Sequence, residues 1–159
     1  MDQDYGRALE PLLAQAGGYA RSILRSRADA EDAVQLAALR GLERLSSYDE
    51  ARPFKAWWFA ILRNCCIDTF RRARRHPTVA IENDIADDRP GDLSPDWDAL
   101  DAALESLSDS HREIVRLRYF AALSYAEIAE VLSIPRGTVM SRLHHARQVL
   151  AARLQEKTP

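Results

Sequence analysis

Long apolar runs are missing from this sequence. No stretch approaches the ~20 residues that a helix needs to cross a bilayer, and the first residues lack a signal-peptide core. Cysteine is almost absent. Cys65 and Cys66 are the only two and are adjacent, which rules out a disulfide framework and leaves too few ligands for a structural metal. They fall in a packed helical pattern and read as small core residues rather than nucleophiles. The four histidines, His76, His111, His144 and His145, form no His-x-x-x-His pair, and no carboxylate cluster accompanies them. A Gly-rich phosphate loop is missing, as is any Ser or Cys with a positioned base. These absences point away from an enzyme and imply no cofactor, no metal, no small-molecule substrate and no membrane insertion. Free thiols suit a reducing, cytoplasmic setting.

Excess positive charge is lacking as well: 22 Lys and Arg face 24 Asp and Glu, a net charge of −2. Bulk charge therefore does not hold this chain to nucleic acid, and the distribution carries the information. Residues 1–76 lean basic, with 13 bases against 10 acids. Residues 77–98 contain one base, Arg89, against seven acids, and the remainder is nearly balanced. At 159 residues, that pattern implies two small domains and an acidic linker. The expected boundaries are 1–76, a flexible linker over 77–97 and 98–159.

What is present is clearest from Leu123 to Leu150, LSYAEIAEVLSIPRGTVMSRLHHARQVL. Ile128, Ala129, Val131 and Leu132 recur at helical spacing, and Val139, Leu143, Ala146 and Leu150 share a face beyond the break at Ser133-Ile134-Pro135. Ser124 with Glu127 three residues on is a capping-box start. Pro135 suits a helix's first turn, where the missing N–H would have no partner anyway. The pattern is a helix-turn-helix. Opposite the apolar stripe lie Gly137, Ser141, His144 and Gln148, flanked by Thr138, Met140 and His145. Arg136, Arg142 and Arg147 stand at the margins, suited to phosphates on either side of a groove.

The remainder also reads as helix, so the fold is expected to be all-α. Tyr5 to Arg27 is apolar-periodic, with Gly17-Gly18 as its break. Asp29-Ala30-Glu31-Asp32 opens the next helix, acids in its first turn, with Val34, Leu39, Leu42 and Leu45 as its buried stripe. A polar loop, Ser46 to Pro53, precedes the helix FKAWWFAILRNCCIDTFRRARR. Phe54, Trp57, Trp58, Ile61, Leu62 and Cys65 make one apolar face of it. Lys55, Phe59, Arg63, Cys66, Phe70 and Arg74 fall within about 100° on another side. Aromatics interleaved with cations suit unpaired bases and their backbone, and Arg71 to Arg75 is a basic cluster. As bare sequence, Phe59 and Phe70 equally suit packing on neighbouring helices. After the linker, Leu100, Ala103, Leu104 and Leu107 mark one helix. Ser108 caps another, with Ile114, Val115, Leu117 and Tyr119 as its apolar positions.

The segment SYAEIAEVLSIPRGTVMSRLHHAR resembles the promoter-reading helix-turn-helix of sigma-70-family RNA polymerase sigma factors, specifically the extracytoplasmic-function (ECF) group. Ser124, Tyr125, Glu127, Ile128, Ala129, Leu132, Gly137, Thr138, Val139, Ser141, Arg142, Leu143, Ala146 and Arg147 keep the pattern, while Met140 and His145 stand where the family usually has bases. By resemblance, Met140, Ser141, His144 and His145 face minus-35 DNA. DAEDAVQLAALRGLERL resembles the helix that docks on the clamp of the polymerase's largest subunit, which assigns docking to Asp29, Glu31, Asp32, Gln35, Leu36, Leu39 and Arg40. The loop holding Ser46, Ser47, Tyr48, Asp49 and Glu50 corresponds to one that cradles a base flipped from the minus-10 element. The helix after it resembles the minus-10 recognition and melting helix. Lys55, Phe59, Arg63, Asn64, Phe70, Arg71 and Arg74 are its candidate contacts. ALESLSDSHREIVRLRYF matches the family at Leu104, Leu107, Arg112, Glu113, Ile114 and Leu117.

The resemblance implies a sigma2-like and a sigma4-like domain, and a protein that binds core RNA polymerase at clamp and flap and directs it to promoter DNA. An anti-sigma partner is implied too. Two other readings stay open on the sequence: a stand-alone helix-turn-helix regulator, and a sigma-like mimic that sequesters an anti-sigma factor without touching DNA.

Overall fold

A computed structural model describes residues 2–76 and 97–156; the acidic segment expected to be a flexible linker lies almost wholly outside them. Every regular element among the described residues is helical. In the front half these are α1 (Asp2–Leu9), α2 (Leu13–Ile23), α3 (Arg27–Glu43) and α4 (Phe54–Arg75). The back half holds α5 (Trp97–Glu105), α6 (Asp109–Val115), α7 (Tyr125–Leu132) and α8 (Arg136–Gln155).

The first break is not at Gly17-Gly18. The chain tightens into a 3₁₀ turn over Glu10–Leu12, at Pro11, and α2 then runs unbroken through both glycines. Proline removes a backbone donor, whereas a paired glycine only weakens a helix that packing can sustain. Packing does sustain it: Tyr19 is buried against the edge of Phe59, with ring centres 5.9 Å apart.

The expected stripe of α3 is also corrected. Val34 and Leu45 are only half buried, and Leu39 and Leu42 face solvent, with Leu39 60% exposed. The buried positions are Ala30, Ala33, Ala37 and Gly41, spaced by three or four residues. A face of small side chains lets α3 lie close against α4, as ridges of larger residues would not. Ser26, outside the expected start, caps α3 by accepting the Asp29 N–H, a contact of ~1 kcal/mol.

At the end of that stripe, Gly41 leaves room for two aromatic side chains. The Trp58 indole N–H donates to the Tyr5 hydroxyl at 3.1 Å, which in turn donates to the Ala38 carbonyl at 2.8 Å. One polar chain thus satisfies the only side-chain donor of Trp58 and ties α1, α3 and α4 together. A methyl group at position 41 would overlap the Tyr5 hydroxyl and press on Trp58.

The two halves share one apolar core. Helix α4 lies against α7, and α2 against a π-helical turn, Arg116–Phe120, that follows α6. Trp58, Phe59 and Leu62 of the front half and Ile114, Leu117, Leu123 and Ile128 of the back half are fully buried in it. Arg112 closes the end of α5, donating to the carbonyls of Leu104, Glu105 and Leu107, where the helical ladder runs out of donors.

Replacing Gly41 by Ala is expected to lower stability by about 1–3 kcal/mol, the usual cost of overpacking, despite the better helix propensity of alanine. Urea unfolding measures it; an unchanged midpoint would show that Tyr5 moves aside freely.

Candidate nucleic-acid interface

The helix-turn-helix is built as the sequence leads one to expect. Ser124 accepts the Glu127 N–H at 3.1 Å while the Glu127 carboxylate accepts the Ser124 N–H at 2.7 Å. Two orphan donors are satisfied at once. Ser133 ends α7 in the left-handed conformation, φ 52°, and Pro135 takes the N-cap of α8. Val139, Leu143 and Ala146 are buried, which turns the opposite face of α8 outward. Met140, Ser141, His144, His145, Arg136 and Arg147 are exposed, with Thr138 and Arg142 half buried.

Side chains on both flanks of that face are held by the scaffold. On one flank, Arg147 donates to the hydroxyls of Tyr119 at 2.6 Å and Tyr125 at 3.2 Å. The guanidinium beside Tyr125 holds its phenol below the ordinary range. Tyr119 is therefore not a core residue as its periodicity implied: it is 54% exposed and serves to place Arg147. On the other flank, His145 packs against His111 of α6 with ring centres 4.8 Å apart. Met140, Ser141 and His144 form the open strip between them.

In the front half the expected minus-10 face divides into three parts. Ser46, Ser47 and Asp49 are exposed on a loop ordered by its own bonds. The Asp49 carboxylate accepts the Ala51 N–H at 2.9 Å, and the Tyr48 hydroxyl donates to the Arg52 carbonyl at 2.6 Å. The Tyr48 ring meets Trp57 and Phe54 at 4.8 and 5.6 Å, so an aromatic cluster floors the loop. Second, Asn64, Phe70, Arg71 and Arg74 are exposed along α4, and the Arg74 guanidinium lies over the Phe70 ring.

The third part departs from expectation. Phe59 and Cys66 are fully buried, because α4 packs on two sides rather than one. Phe59 sits between Tyr19 and Trp58 and has no open face for a base. Burial pushes the Cys66 thiol up to about 12, consistent with an inert core residue. Lys55 and Arg63 turn toward the back half: Lys55 donates to the Ala122 carbonyl at 2.9 Å, and Arg63 is paired with Glu113.

Of the expected docking residues, Glu31, Asp32, Gln35 and Leu39 are exposed on α3, and Asp29 and Leu36 are half buried. Arg40 points back toward α4, near the Asp68 carboxylate at 3.7 Å and the Cys65 sulfur at 3.5 Å. It lines a cleft of about 410 Å³ with Arg44, Arg63, Asn64, Asp68 and Arg71. Four arginines and one aspartate line that cleft, and Glu113 engages one of the four, Arg63. Arg44, like Arg52, Tyr119 and Tyr125, was not singled out from the sequence as a site residue. Only the packing of α3 on α4 places it there.

Family models match both halves: sigma-70 region 2 over residues 9–76 and sigma-70 region 4 over residues 97–150. The chain belongs to the sigma-70 family. Its relatives narrow the group to the ECF sigma factors. SigL of Mycobacterium tuberculosis is 38% identical over 146 residues, covering 87% of this chain and 81% of SigL. SigW of Bacillus subtilis is 29% identical over 145 residues, covering 80% and 76%. Among solved structures, the sigma factor RpoE of Bartonella quintana, in complex with the anti-sigma factor NepR, superposes with a TM-score of 0.76 at 27% identity, spanning 98% of this chain and 99% of that one. CnrH in complex with the cytosolic domain of CnrY gives the same score at 25% identity, spanning 99% and 92%. The region 2 match takes in α2 through α4, and the region 4 match α5 through most of α8. Both candidate DNA faces of this sigma-family chain thus lie within matched segments.

The His111–His145 contact makes one part of the region 4 face sensitive to acid. His111 is held below the ordinary imidazole range, first by partial desolvation, then by His145 and Arg142. Its neutral form is favoured in the folded state, so its contribution to stability is complete above the unfolded value of about 6.5 and is lost progressively as pH falls from there through the lower folded value. The His111 ring resonance in an NMR titration is expected to show a depressed midpoint that rises in His145→Ala; a midpoint unmoved by that substitution would separate the two rings.

Proposed function

We propose that this chain is a working sigma factor: it binds core RNA polymerase and directs initiation at promoters through two DNA contacts. The observation that carries the reading is the open strip Met140, Ser141 and His144 on a recognition helix whose neighbours are held in place. The strip is set to enter a major groove, where amide-free, small and imidazole side chains meet base edges. Arg136, Arg142 and Arg147, with Thr138, contact phosphates beside the groove and set the register. His145, held against His111, is a phosphate or edge contact more than a base reader.

Docking on the clamp of the largest subunit belongs to α3. Leu39 and Leu42 stand exposed beside Glu31, Asp32 and Gln35, an apolar centre with a charged rim of the kind that protein interfaces use. The flap is the counterpart for the back half. Melted minus-10 DNA falls to the loop of Ser46, Ser47, Tyr48 and Asp49 and to Asn64, Phe70, Arg71 and Arg74, with Lys55 and Arg63 joining once released from the back half. The division into residues 1–76, an acidic connection over 77–97 and residues 98–159 follows the two contacts. Tying both to one polymerase raises the effective concentration of each on the promoter, so neither half needs strong positive charge of its own. The synthesis of RNA is the polymerase's chemistry, and the protein acts where the polymerase does, in the cytoplasm.

An anti-sigma partner fits the same reading. The Bartonella quintana sigma factor RpoE, which superposes on nearly the whole chain, was solved with an anti-sigma factor, and the exposed apolar positions of α3 suit one here. A mimic that never touches DNA is disfavoured by the exposed Arg71, Arg74, Arg136 and Arg147, which it would have no reason to keep.

Run-off transcription with core polymerase on a library of promoter fragments tests the proposal: discrete starts are expected only when the protein is present. Binding to core without initiation would point to the mimic, and no binding to core would end the sigma reading. On the fragments so identified, Met140→Ala with His144→Ala is expected to relax base preference in the upstream element, at about 1–3 kcal/mol per lost contact. An unchanged preference would remove both residues from readout.

A further inference from the structure

We propose that Tyr119 is a DNA-contact residue: its hydroxyl, together with that of Tyr125, completes a site for one backbone phosphate around Arg147, on the flank of the recognition helix. The inference rests on the minus-35 reading of α8 and adds to it a residue from outside the helix-turn-helix. Three elements converge at the site. Arg147 comes from α8, Tyr125 from the start of α7, and Tyr119 from the π-helical turn Arg116–Phe120. The Arg147 Nε–H donates to the Tyr119 oxygen at 2.6 Å, and an Nη2–H donates to the Tyr125 oxygen at 3.2 Å. Two of the five N–H donors of the guanidinium are spent on the phenols, which leaves three. Both phenol oxygens act as acceptors in these bonds, so each keeps its own O–H proton, uncommitted among the described residues. The cluster therefore offers several donors in one place, which is what a phosphate oxygen requires.

The partners of Arg147 set it apart from the other ordered arginines. Arg40, Arg52 and Arg63 each lie beside a carboxylate, those of Asp68, Glu130 and Glu113. Arg147 is held by neutral oxygens, and no carboxylate pairs with it among the described residues. Its charge is placed without being neutralised. Arg118 adds a second cation, lying over the Tyr125 ring at 5.3 Å while it donates to the Leu123 carbonyl at 2.9 Å. The two guanidinium groups hold the Tyr125 phenol below its ordinary range, first through the Arg147 hydrogen bond. A hydroxyl that accepts from a cation is polarised into a better donor.

Backbone geometry brings Tyr119 to this place. Val115 is buried, and four residues on, an uninterrupted α-helix would return Tyr119 to the same side. The chain widens instead: the Ala121 N–H bonds to the Arg116 carbonyl, five residues back. Tyr119 is left 54% exposed, its ring centre 5.8 Å from the Arg147 guanidinium. Single π turns of this kind gather at functional sites. A ring kept for packing alone would be better buried, since apolar surface left in water contributes nothing to stability.

The test uses holoenzyme assembled from the full chain and core polymerase, with duplex promoter fragments found by run-off mapping. In a series of fragments, one phosphate at a time across the upstream element is replaced by an uncharged methylphosphonate. Tyr119→Phe keeps the ring and is expected to leave the helical circular dichroism and thermal midpoint unchanged. It is expected to weaken binding to the unmodified fragment about tenfold. At one phosphate, the methylphosphonate is expected to weaken wild type severalfold more than Tyr119→Phe, and to leave Arg147→Ala little affected; at the other phosphates the losses add. Wild-type affinity in Tyr119→Phe overturns the proposal. A loss that stays additive at every phosphate overturns it as well, and makes Tyr119 a structural tie between the turn and α8. If Arg147→Ala binds every fragment as wild type does, this flank meets no phosphate and the proposal falls with it. Wild-type holoenzyme that is indifferent to the upstream element overturns the minus-35 reading itself.

Discussion

The close approach of α3 to α4 is the constraint on which the rest of this molecule depends. It is made possible by a strip of side chains no larger than alanine: Ala30, Ala33, Ala37 and Gly41. Because the strip is thin, Trp58 can be buried completely and still find a hydroxyl for its N–H. Burying Trp58, Phe59 and Leu62 is worth roughly 2 kcal/mol each before entropy is counted. The same strip forces the larger residues of α3 outward. Leu39 and Leu42 are exposed because the buried face has no room for them, and a docking surface arises from a packing requirement.

That packing also fixes the electrostatics of the front half. Arg40 is carried over α4 to lie near Asp68 and Cys65, and Arg44 comes to line a cleft with Arg63 and Arg71. Positive charge is concentrated there although the chain as a whole carries a net charge of −2. A near-neutral protein can present a locally cationic face when the fold gathers more arginines than acids in one place.

In the back half, the recognition helix illustrates a division of labour among neighbouring residues. Arg147 is oriented by two tyrosine hydroxyls and His145 by a second imidazole. Side chains held by the scaffold lose less freedom when they meet a ligand. Met140 and His144, exposed between them, keep theirs. The positions that set register and those that sample base edges are therefore distinguishable by whether the scaffold already holds them.

Much of this was legible from local pattern. Helical periodicity, the Ser124–Glu127 capping box, the break before Pro135 and the inward set Val139, Leu143 and Ala146 are properties of short segments, and they give the helix-turn-helix without reference to anything distant. The family likeness could be read for the same reason, since its motifs are contiguous. What short segments do not contain is the other side of each contact. Periodicity showed that Phe59 and Tyr119 lie on definite faces but not what covers those faces. Phe59 meets Tyr19 of α2, and Tyr119 meets no core at all. On α3 the largest side chains looked like the buried stripe, and the small ones took it because α4 arrives too close for leucine. The ties of Arg52, Lys55 and Arg63 to the back half join residues 50 to 78 positions apart. The sequence by itself determined the all-helical class, the capped helix-turn-helix and the family; the tertiary structure decided which faces are covered, because burial depends on the partner surface and not on the segment that is buried.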